Sequence, residues 1–358
     1  MPQMPSNQDD NTHALLIGVD DYKSFNGTTD FDLKGSRNDV LLLASYLVEV
    51  LGLRPENIVA LTWPRLNVQN FEQHVSSRGS AMGDAVRDIV VDDATGAEVA
   101  KRLGWLLDRA HHGGALLAFS GHGAWSKDQG PLLCLTDAVP GFSHGVLSLR
   151  DLGHDIKKAG AKDRLIALFD CCHVASPTNH HRRMHAKALP HGGTADDVKG
   201  DDGLFNVSNR VILGAKPGKE TYQARLGGKW SGGLTFALVT AAERWQGESE
   251  MSHGSYKHVM RRTKGTLNAL GVPQHPAFRA PGLPAPPARI GRSCMPINQH
   301  HRQIGSPIRR QNKPFVRGPT EDREHLFTIR RRSSAPSSPS SGKRTGCASV
   351  SPGGTPSQ

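Results

Sequence analysis

Short apolar runs that lack polar alternation recur along residues 12–280, and helical patterns fill the intervals between them. Runs of Leu, Ile, Val and Ala are typical of strands that helices cover on both faces, because such strands have no solvent-facing side. The sequence therefore predicts an α/β sandwich with a mainly parallel central sheet flanked by helices. Strands are expected at 14–19, 57–62, 115–120, 132–136, 164–169 and 210–213.

Local signals mark where the helices begin. Thr95, with Glu98 three positions later, forms a capping box, which predicts a helix that ends near Arg109. Apolar side chains recur at helical spacing over 40–51, directly after Asn38 and Asp39, which favours a helix that starts at these two residues. Further helices are expected at about 149–159, 234–245 and 256–270.

The cysteine content excludes a disulfide framework. The 358 residues include 5 Cys, an odd count, with Cys171 and Cys172 adjacent and no Cys-x-x-Cys pair for zinc. No apolar run reaches the roughly 18 residues that a bilayer-spanning helix needs, and residues 1–15 are polar, unlike a secretory signal. We expect an unexported cytoplasmic protein without a membrane partner.

The basic charge of the chain is concentrated at its end. Residues 289–358 contain 13 Lys and Arg but 3 Asp and Glu, whereas the rest is nearly neutral. Ser, Pro and Gly fill 17 of the 26 positions over 333–358, so a disordered basic tail is expected over 281–358. A solvated arm is the preferred interpretation, and binding of nucleic acid or an acidic partner through this tail is the alternative.

Two predicted strands end in reactive groups. Ser120-Gly121-His122-Gly123 follows one strand, and Asp170-Cys171-Cys172-His173 follows another. In open α/β sheets the chemistry gathers beyond the carboxyl ends of the strands, so parallel neighbours would bring His122 and a cysteine to one edge.

A cysteine and a histidine at one edge form a catalytic dyad. A free thiol is only a few per cent thiolate at neutral pH and needs a base such as His122 to become a nucleophile. The glycines on either side of His122 allow the backbone to approach a substrate closely. The amides of Gly123 and of the cysteine would then hold a developing oxyanion, which indicates acyl transfer.

These motifs make the sequence resemble the caspase-like cysteine peptidases, and among them the metacaspases. By that resemblance the fold over residues 12–280 is a caspase-type α/β sandwich, His122 is the catalytic histidine and Cys172 is the nucleophile, while Cys171 is a core thiol. The resemblance is carried by Ala14-Leu-Leu-Ile-Gly18, Leu33-Lys-Gly-Ser-Arg-Asn-Asp39, Ser120-Gly-His-Gly123, Phe169-Asp-Cys-Cys-His173 and the small-subunit-like region 211–276.

The resemblance also implies a substrate pocket. Asp39 and Asp170 match the acids that line the pocket for the residue before the cleaved bond in metacaspases. Partly desolvated carboxylates favour a cation in place of lost water, so we expect protein or peptide substrates with exposed Arg or Lys. For Asp39 a helix cap is the alternative, and one residue can serve both roles.

Metacaspases commonly need calcium, and Asp137 and Asp151 stand where the acids that bind it are expected. Arg150 and Asn179, however, occupy positions where the family has further acids. A hard cation takes six to eight oxygen ligands, so a guanidinium in the set is costly. We therefore expect no required cofactor and leave a calcium site at Asp137 and Asp151 as the alternative.

The resemblance divides the chain into a polar N-terminus (1–11), a catalytic domain (12–280) and the tail (281–358). Within the domain, a large-subunit-like part (12–176) and a small-subunit-like part (206–280) flank a polar linker (177–205). This linker contains Arg182, Arg183 and Lys187, which match the expected basic preference and suggest self-processing.

Three functions from different classes compete. The first is a cysteine endopeptidase that cuts after Arg or Lys, with Cys172 as nucleophile and His122 as base. The second is a caspase-like scaffold or signalling module without turnover, which the unusual sequence Val174-Ala175-Ser176 after His173 keeps open. The third is a nucleic-acid-binding protein that acts through the tail.

Overall fold

The computed structural model of the chain describes residues 11–77, 87–172, 184–187, 207–208, 210–216, 219–246 and 256–279. The chain divides into two units, Met1–Pro296 and Ile297–Gln358, and every described residue belongs to the first. Residues 1–10, most of the linker and the whole predicted tail lie outside the described residues.

The strands and helices follow the order that the sequence predicts and include several short additional elements. The strands are β1 (His13–Val19), β2 (Ile58–Trp63), β3 (Val90–Asp93), β4 (Ala115–Ser120), β5 (Gly123–Ser126), β6 (Gly130–Cys134), β7 (Val146–Ser148), β8 (Leu165–Asp170), β9 (Met184–Ala186), β10 (Arg210–Leu213), β11 (Tyr222–Leu226), β12 (Lys229–Gly232) and β13 (Ala277–Arg279). The helices are α1 (Lys23–Asn26), α2 (Ser36–Glu49), α3 (Val68–Ser77), α4 (Gly96–Ala110), α5 (Leu149–Lys158), α6 (Gly233–Gln246) and α7 (Tyr256–Ala269).

The central sheet of the described residues has seven strands in the order β13-β10-β8-β4-β1-β2-β3. All neighbouring strands are parallel except β13, which runs antiparallel to β10. The predicted mainly parallel sheet is therefore confirmed. Two antiparallel three-stranded sheets accompany it, with the orders β5-β6-β7 and β12-β11-β9.

Two apolar cores lie on opposite faces of the sheet. Alternate residues of β1 enter each core, with Leu15 and Ile17 in one and Ala14 and Leu16 in the other. Helices α4 and α5 cover the first core, and α2, α3, α6 and α7 cover the second. A strand buried on both faces needs apolar side chains at every position, which explains the uninterrupted apolar runs.

Helix α2 begins two residues earlier than the sequence suggests. Its first residue is Ser36, and Asp39 lies within the first turn instead of capping it. The amides of Ser36 and Arg37 donate to the Asp20 carboxylate at 2.7 and 3.3 Å. The predicted cap at Asn38 and Asp39 is wrong because the acceptor for these amides comes from a residue at the end of β1.

Several short strands escaped the sequence analysis. Strands β5, β7, β9 and β12 have only three or four residues, too few to show a period of two. Strand β6 ends at Cys134 and not at Thr136 as predicted. Within the described ranges, no helix has the length and apolar character needed to cross a bilayer.

Candidate active site

Strands β4 and β8 are parallel neighbours, and Ser120 lies opposite Asp170 in their register. The expected adjacency of the two reactive strand ends is therefore confirmed. His122 lies two residues after Ser120, and Cys172 lies two residues after Asp170. Both residues are therefore at the carboxyl edge of the sheet.

The backbone fixes the orientation of His122. Its Nε2 lies 2.6 Å from the carbonyl oxygen of Phe31, and its amide donates to the Tyr22 hydroxyl at 2.7 Å. Because a carbonyl can only accept, Nε2 carries the proton and the neutral ring has its lone pair on Nδ1. This Nδ1 is buried and has no hydrogen-bond partner among the described residues.

The Tyr22 side chain supports the same imidazole. Its ring packs against that of His122 with 4.6 Å between centroids, and its hydroxyl donates to the carbonyl of Cys134 at 3.2 Å. Burial lowers the pKa of His122 to about 4, although the carbonyls of Phe31 and Lys187 act in the opposite direction. The ring is therefore neutral at physiological pH and available as a base.

The thiol of Cys172 lies against the backbone of Thr221. Its Sγ is 2.8 Å from the Thr221 amide nitrogen and 3.2 Å from the Thr221 carbonyl oxygen. Burial raises the pKa of Cys172 to about 12, while the hydrogen bond from Thr221 lowers it. Cys171 instead belongs to the apolar core below the sheet edge, and burial raises the pKa of its thiol well above the usual value.

A short segment of the predicted linker lies in the cleft beside these two residues. Its strand β9 pairs antiparallel with β11, and the next residue, Lys187, donates its amide to the Thr221 carbonyl at 3.0 Å. Addition of an extended segment to the edge of a sheet is a common way for proteins to bind peptides.

Two backbone amides converge on the carbonyl oxygen of Lys187. Gly123 donates to it at 3.1 Å and Cys172 at 3.0 Å. These are the two amides that the sequence analysis proposed as oxyanion donors. A carbonyl held by two amides is the arrangement that stabilises a tetrahedral oxyanion in acyl transfer.

The Lys187 ammonium enters a closed acidic pocket. Its Nζ lies 3.4 Å from Oδ2 of Asp39 and 3.6 Å from Oδ1 of Asp170, and all three side chains are fully buried. Burial lowers the pKa of Lys187, but the two carboxylates outweigh it and raise the pKa above the usual value. Burial raises the pKa of Asp39, and the positive charge of Lys187 partly opposes this rise.

Polar groups of the small-subunit-like part hold the two carboxylates in place. Asp39 accepts hydrogen bonds from the Ser231 hydroxyl and from the Gly232 amide, the latter at 2.9 Å. Oδ2 of Asp170 accepts from the amide and the hydroxyl of Thr235, both at 2.9 Å. Buried carboxylates need such partners because they have lost their hydration.

These supporting residues are absent from the predicted site, and so is Ser120. Ser120, whose hydroxyl donates to Asp39 Oδ2 at 2.6 Å, directly precedes the Gly-His-Gly motif, and the Ser231-Gly232 pair ends the short strand β12 directly before α6, so both had a weak signal. The contributions of Phe31 and Thr221 to His122 and Cys172 come from backbone atoms, which no residue type reveals.

The described residues do not fit a calcium ion at the two expected acids. Both carboxylate oxygens of Asp137 accept from the Gly96 amide, at 3.1 Å each, and so cap α4. Asp151 is exposed in the first turn of α5. Within the part of the chain that the structure describes, no three His, Cys, Asp or Glu side chains are grouped to hold a metal. Asn179 lies outside the described residues.

The fold and the cleft together define an α/β protein that holds a thiol, an imidazole and two convergent amides at one sheet edge. A model of the caspase domain matches residues 11–285. The chain belongs to this family, which is a family of cysteine peptidases.

A comparison with curated protein sequences finds no match. Among solved structures, the chain is similar to the crystal structure of protein GSU0716 from Geobacter sulfurreducens, with 17% identity and a TM-score of 0.46. That similarity covers 75% of this chain and 92% of the other.

Proposed function

We propose that this protein is a cysteine endopeptidase that cuts peptide bonds after Lys or Arg, with Cys172 as nucleophile and His122 as general base. One observation carries the proposal: Lys187 lies in the cleft as the residue before a cleaved bond would. Its side chain is between Asp39 and Asp170, and its carbonyl accepts from the amides of Gly123 and Cys172.

The proposed reaction uses these residues in turn. Nδ1 of His122 takes the thiol proton as Sγ of Cys172 forms a bond to the carbonyl carbon, and the Gly123 and Cys172 amides hold the oxyanion. When the tetrahedral intermediate collapses, the carbon–nitrogen bond breaks and His122 returns the proton to the leaving amine. Water, activated by the same imidazole, then hydrolyses the thioester and restores the thiol.

The pocket supports the proposed basic preference. Two buried carboxylates are costly without a counter-ion, so a substrate cation recovers part of their lost hydration. An Asp side chain at the same place would add a third negative charge in a site without solvent. We therefore expect peptides with Asp before the cleaved bond to be rejected.

The linker itself is the nearest substrate. Lys187 is the one Lys or Arg of 182–187 that the described residues include, and the bond that follows it joins Lys187 to Ala188. Self-cleavage at this bond would free the cleft, which Lys187 otherwise fills. The hypothesis of self-processing thereby gains a defined position within the chain.

The test compares wild-type protein with Cys172→Ala and Cys171→Ala, each as the full chain. Mass spectrometry should detect a new C-terminus at Lys187 and a new N-terminus at Ala188 in wild type and in Cys171→Ala. Cys172→Ala should stay intact. Cleavage that depends on Cys171 instead would contradict the assignment of the nucleophile.

Fluorogenic peptides that end in Lys, Arg or Asp complete the test, with and without calcium. The proposal expects hydrolysis of the basic peptides alone. Absence of hydrolysis by every form, including protein cut at Lys187 by another protease, would favour the scaffold or signalling alternative. Nucleic-acid binding that survives deletion of 289–358 would remove the third function.

A further inference from the structure

We infer that Ser120 makes the acidic pocket selective for Lys over Arg, so that the two basic residues are not equivalent as substrates. This inference rests on the proposed function, since it concerns the residue before the cleaved bond. The contacts of the Lys187 ammonium inside the pocket carry it.

Three hydrogen-bond acceptors match the three donors of the ammonium. Lys187 Nζ donates to Ser120 Oγ at 2.7 Å, to the Asp170 carbonyl at 3.0 Å and to Asp39 Oδ2 at 3.4 Å. A lysine ammonium has three N–H groups and no more, so the pocket satisfies it completely. The shortest of these contacts is made by Ser120, which is not ionised.

The Ser120 hydroxyl is oriented for this task. It donates its one hydrogen to Asp39 Oδ2 at 2.6 Å, and its lone pairs are therefore left to accept from Lys187. The residue relays the negative charge of Asp39 to the ammonium at the floor of the pocket. It is 3% exposed, so no water replaces it in this role.

Covalent geometry sets arginine apart at this floor. Cζ of arginine is as many bonds from Cα as Nζ of lysine is. A bound arginine would therefore place its Cζ where Lys187 has Nζ. Its terminal nitrogens would then extend about 1.3 Å further, the length of a C–N bond with partial double-bond character. With Ser120 Oγ only 2.7 Å from that point, the planar guanidinium has no space in this direction.

The wall at Gly232 offers no alternative space. A Cβ atom added to Gly232 would lie 2.5 Å from Lys187 Nζ, 2.3 Å from Asp170 Oδ2 and 2.6 Å from Asp39 Oδ2. The pocket therefore fits the ammonium closely even where its wall is a bare glycine. A guanidinium has five donors in one plane, and here it would meet acceptors arranged around a single point.

Binding tests the inference without turnover. The protein is the full chain with Cys172→Ala and Lys187→Ala, which cannot cut, has no side chain in the acidic pocket, and presents the same β9 segment for both peptides to displace. Peptides with the sequence of residues 184–187, Met-His-Ala-Lys, and the version that ends in Arg are titrated by calorimetry. We expect the Lys peptide to bind at least tenfold more tightly than the Arg peptide. Discrimination of this size is usual when a closed pocket excludes a side chain with one additional group.

Ser120→Ala in the same background provides the decisive variant. It removes the Oγ that blocks the guanidinium and the shortest acceptor of the ammonium, so the ratio of the two affinities should fall toward one. Ser120→Gly is a second variant with more space, in case the first does not fold. Ser45→Ala removes another buried hydroxyl, on α2 and outside the pocket, and should leave the ratio unchanged.

The outcomes separate the two proposals. Equal or tighter binding of the Arg peptide to the unaltered pocket, or a ratio that Ser120→Ala does not change, would overturn the selectivity while basic-site cleavage stands. Failure to bind either peptide would overturn it as well. Tight, Lys-selective binding together with no hydrolysis by any active form would instead contradict the proposed peptidase and leave the pocket assignment intact.

Discussion

The sequence analysis assigns one pair of aspartates to a substrate pocket and another pair to a calcium site, and the structure places the two pairs in different surroundings. Asp39 and Asp170 are fully buried and face one lysine ammonium. Asp137 and Asp151 instead lie at the starts of two separate helices, α4 and α5. The comparison teaches that acids far apart in the sequence form one pocket only when the tertiary structure brings them to a shared partner.

The physical reason lies in what each acid can reach. Carboxylates are stabilised at a helix N-terminus by free amides and by the helix dipole, so Asp137 needs no cation. Asp39 is also in the first turn of a helix, but its oxygens face Ser120, Ser231 and Gly232. A dry pocket with two acids therefore demands a cation, whereas a helix start does not.

The largest expected effect comes from neutralising the pocket. Asp39→Asn removes one of the two charges that face the substrate ammonium, and truncation of a buried charge pair costs about 2–5 kcal/mol. We expect kcat/KM for a Lys peptide to fall about a thousandfold. The matched control, Asp137→Asn, should change it less than twofold, and equal losses in both variants would erase the distinction between the pairs.

A second test measures how dry the cleft is. The pKa of His122 is about 4 in the folded protein and near 6.5 when unfolded, so the unfolded chain binds more protons between these values. Wild type should lose stability from this residue as pH falls from 7 to 4, on the order of 3 kcal/mol.

His122→Asn removes this titration and provides the comparison. The free energy of unfolding of both proteins is measured with urea at pH 7 and pH 4. The stability of wild type relative to His122→Asn should be lower at pH 4 by that amount, because the other titrating groups contribute equally to both proteins. If the stability difference between the two proteins does not depend on pH, the imidazole is solvated. The cleft would then be as open to water as the helix starts at which Asp137 and Asp151 lie.

Removing the cation instead of an acid should expose the thiol. Burial raises the pKa of Cys172 to about 12 while Lys187 fills the cleft. In Lys187→Ala we expect water to enter, the thiol pKa to fall, and alkylation by iodoacetamide at pH 8 to be at least tenfold faster than in the uncut form of wild type. Tandem mass spectrometry, which breaks the bond between Cys171 and Cys172, locates the modification, and the slow modification of the core thiols Cys134 and Cys171 should not change.

The smallest effects are expected at the helix starts. Asp137→Asn should lower the free energy of unfolding by about 1 kcal/mol, and Asp151→Asn by about 0.5 kcal/mol, through lost interaction with the helix N-terminus. A chelator or added calcium should change peptide hydrolysis less than twofold. Calcium-dependent activity that either substitution abolishes would assign these acids to a metal after all.

Parts of the site follow from the sequence because they depend on local order. Strand ends of a parallel sheet share one edge, so the positions of His122 and Cys172 after β4 and β8 predict their neighbourhood. The N-cap at Thr95 is similarly local, and its hydroxyl accepts from the Glu98 amide as predicted. The start of α2 was misplaced because Asp20, distant in sequence, supplies its cap.

The apolar runs alone determined the layered α/β fold, since a strand without a polar side must be covered twice, and the two motifs determined which strand ends carry chemistry. Tertiary structure alone decided which acids meet. It also decided that Phe31 and Thr221 orient the imidazole and the thiol through backbone atoms, and that Lys187 enters the pocket. Such contacts join residues far apart in the chain, and their free energy depends on burial, which exists only once the layers have packed.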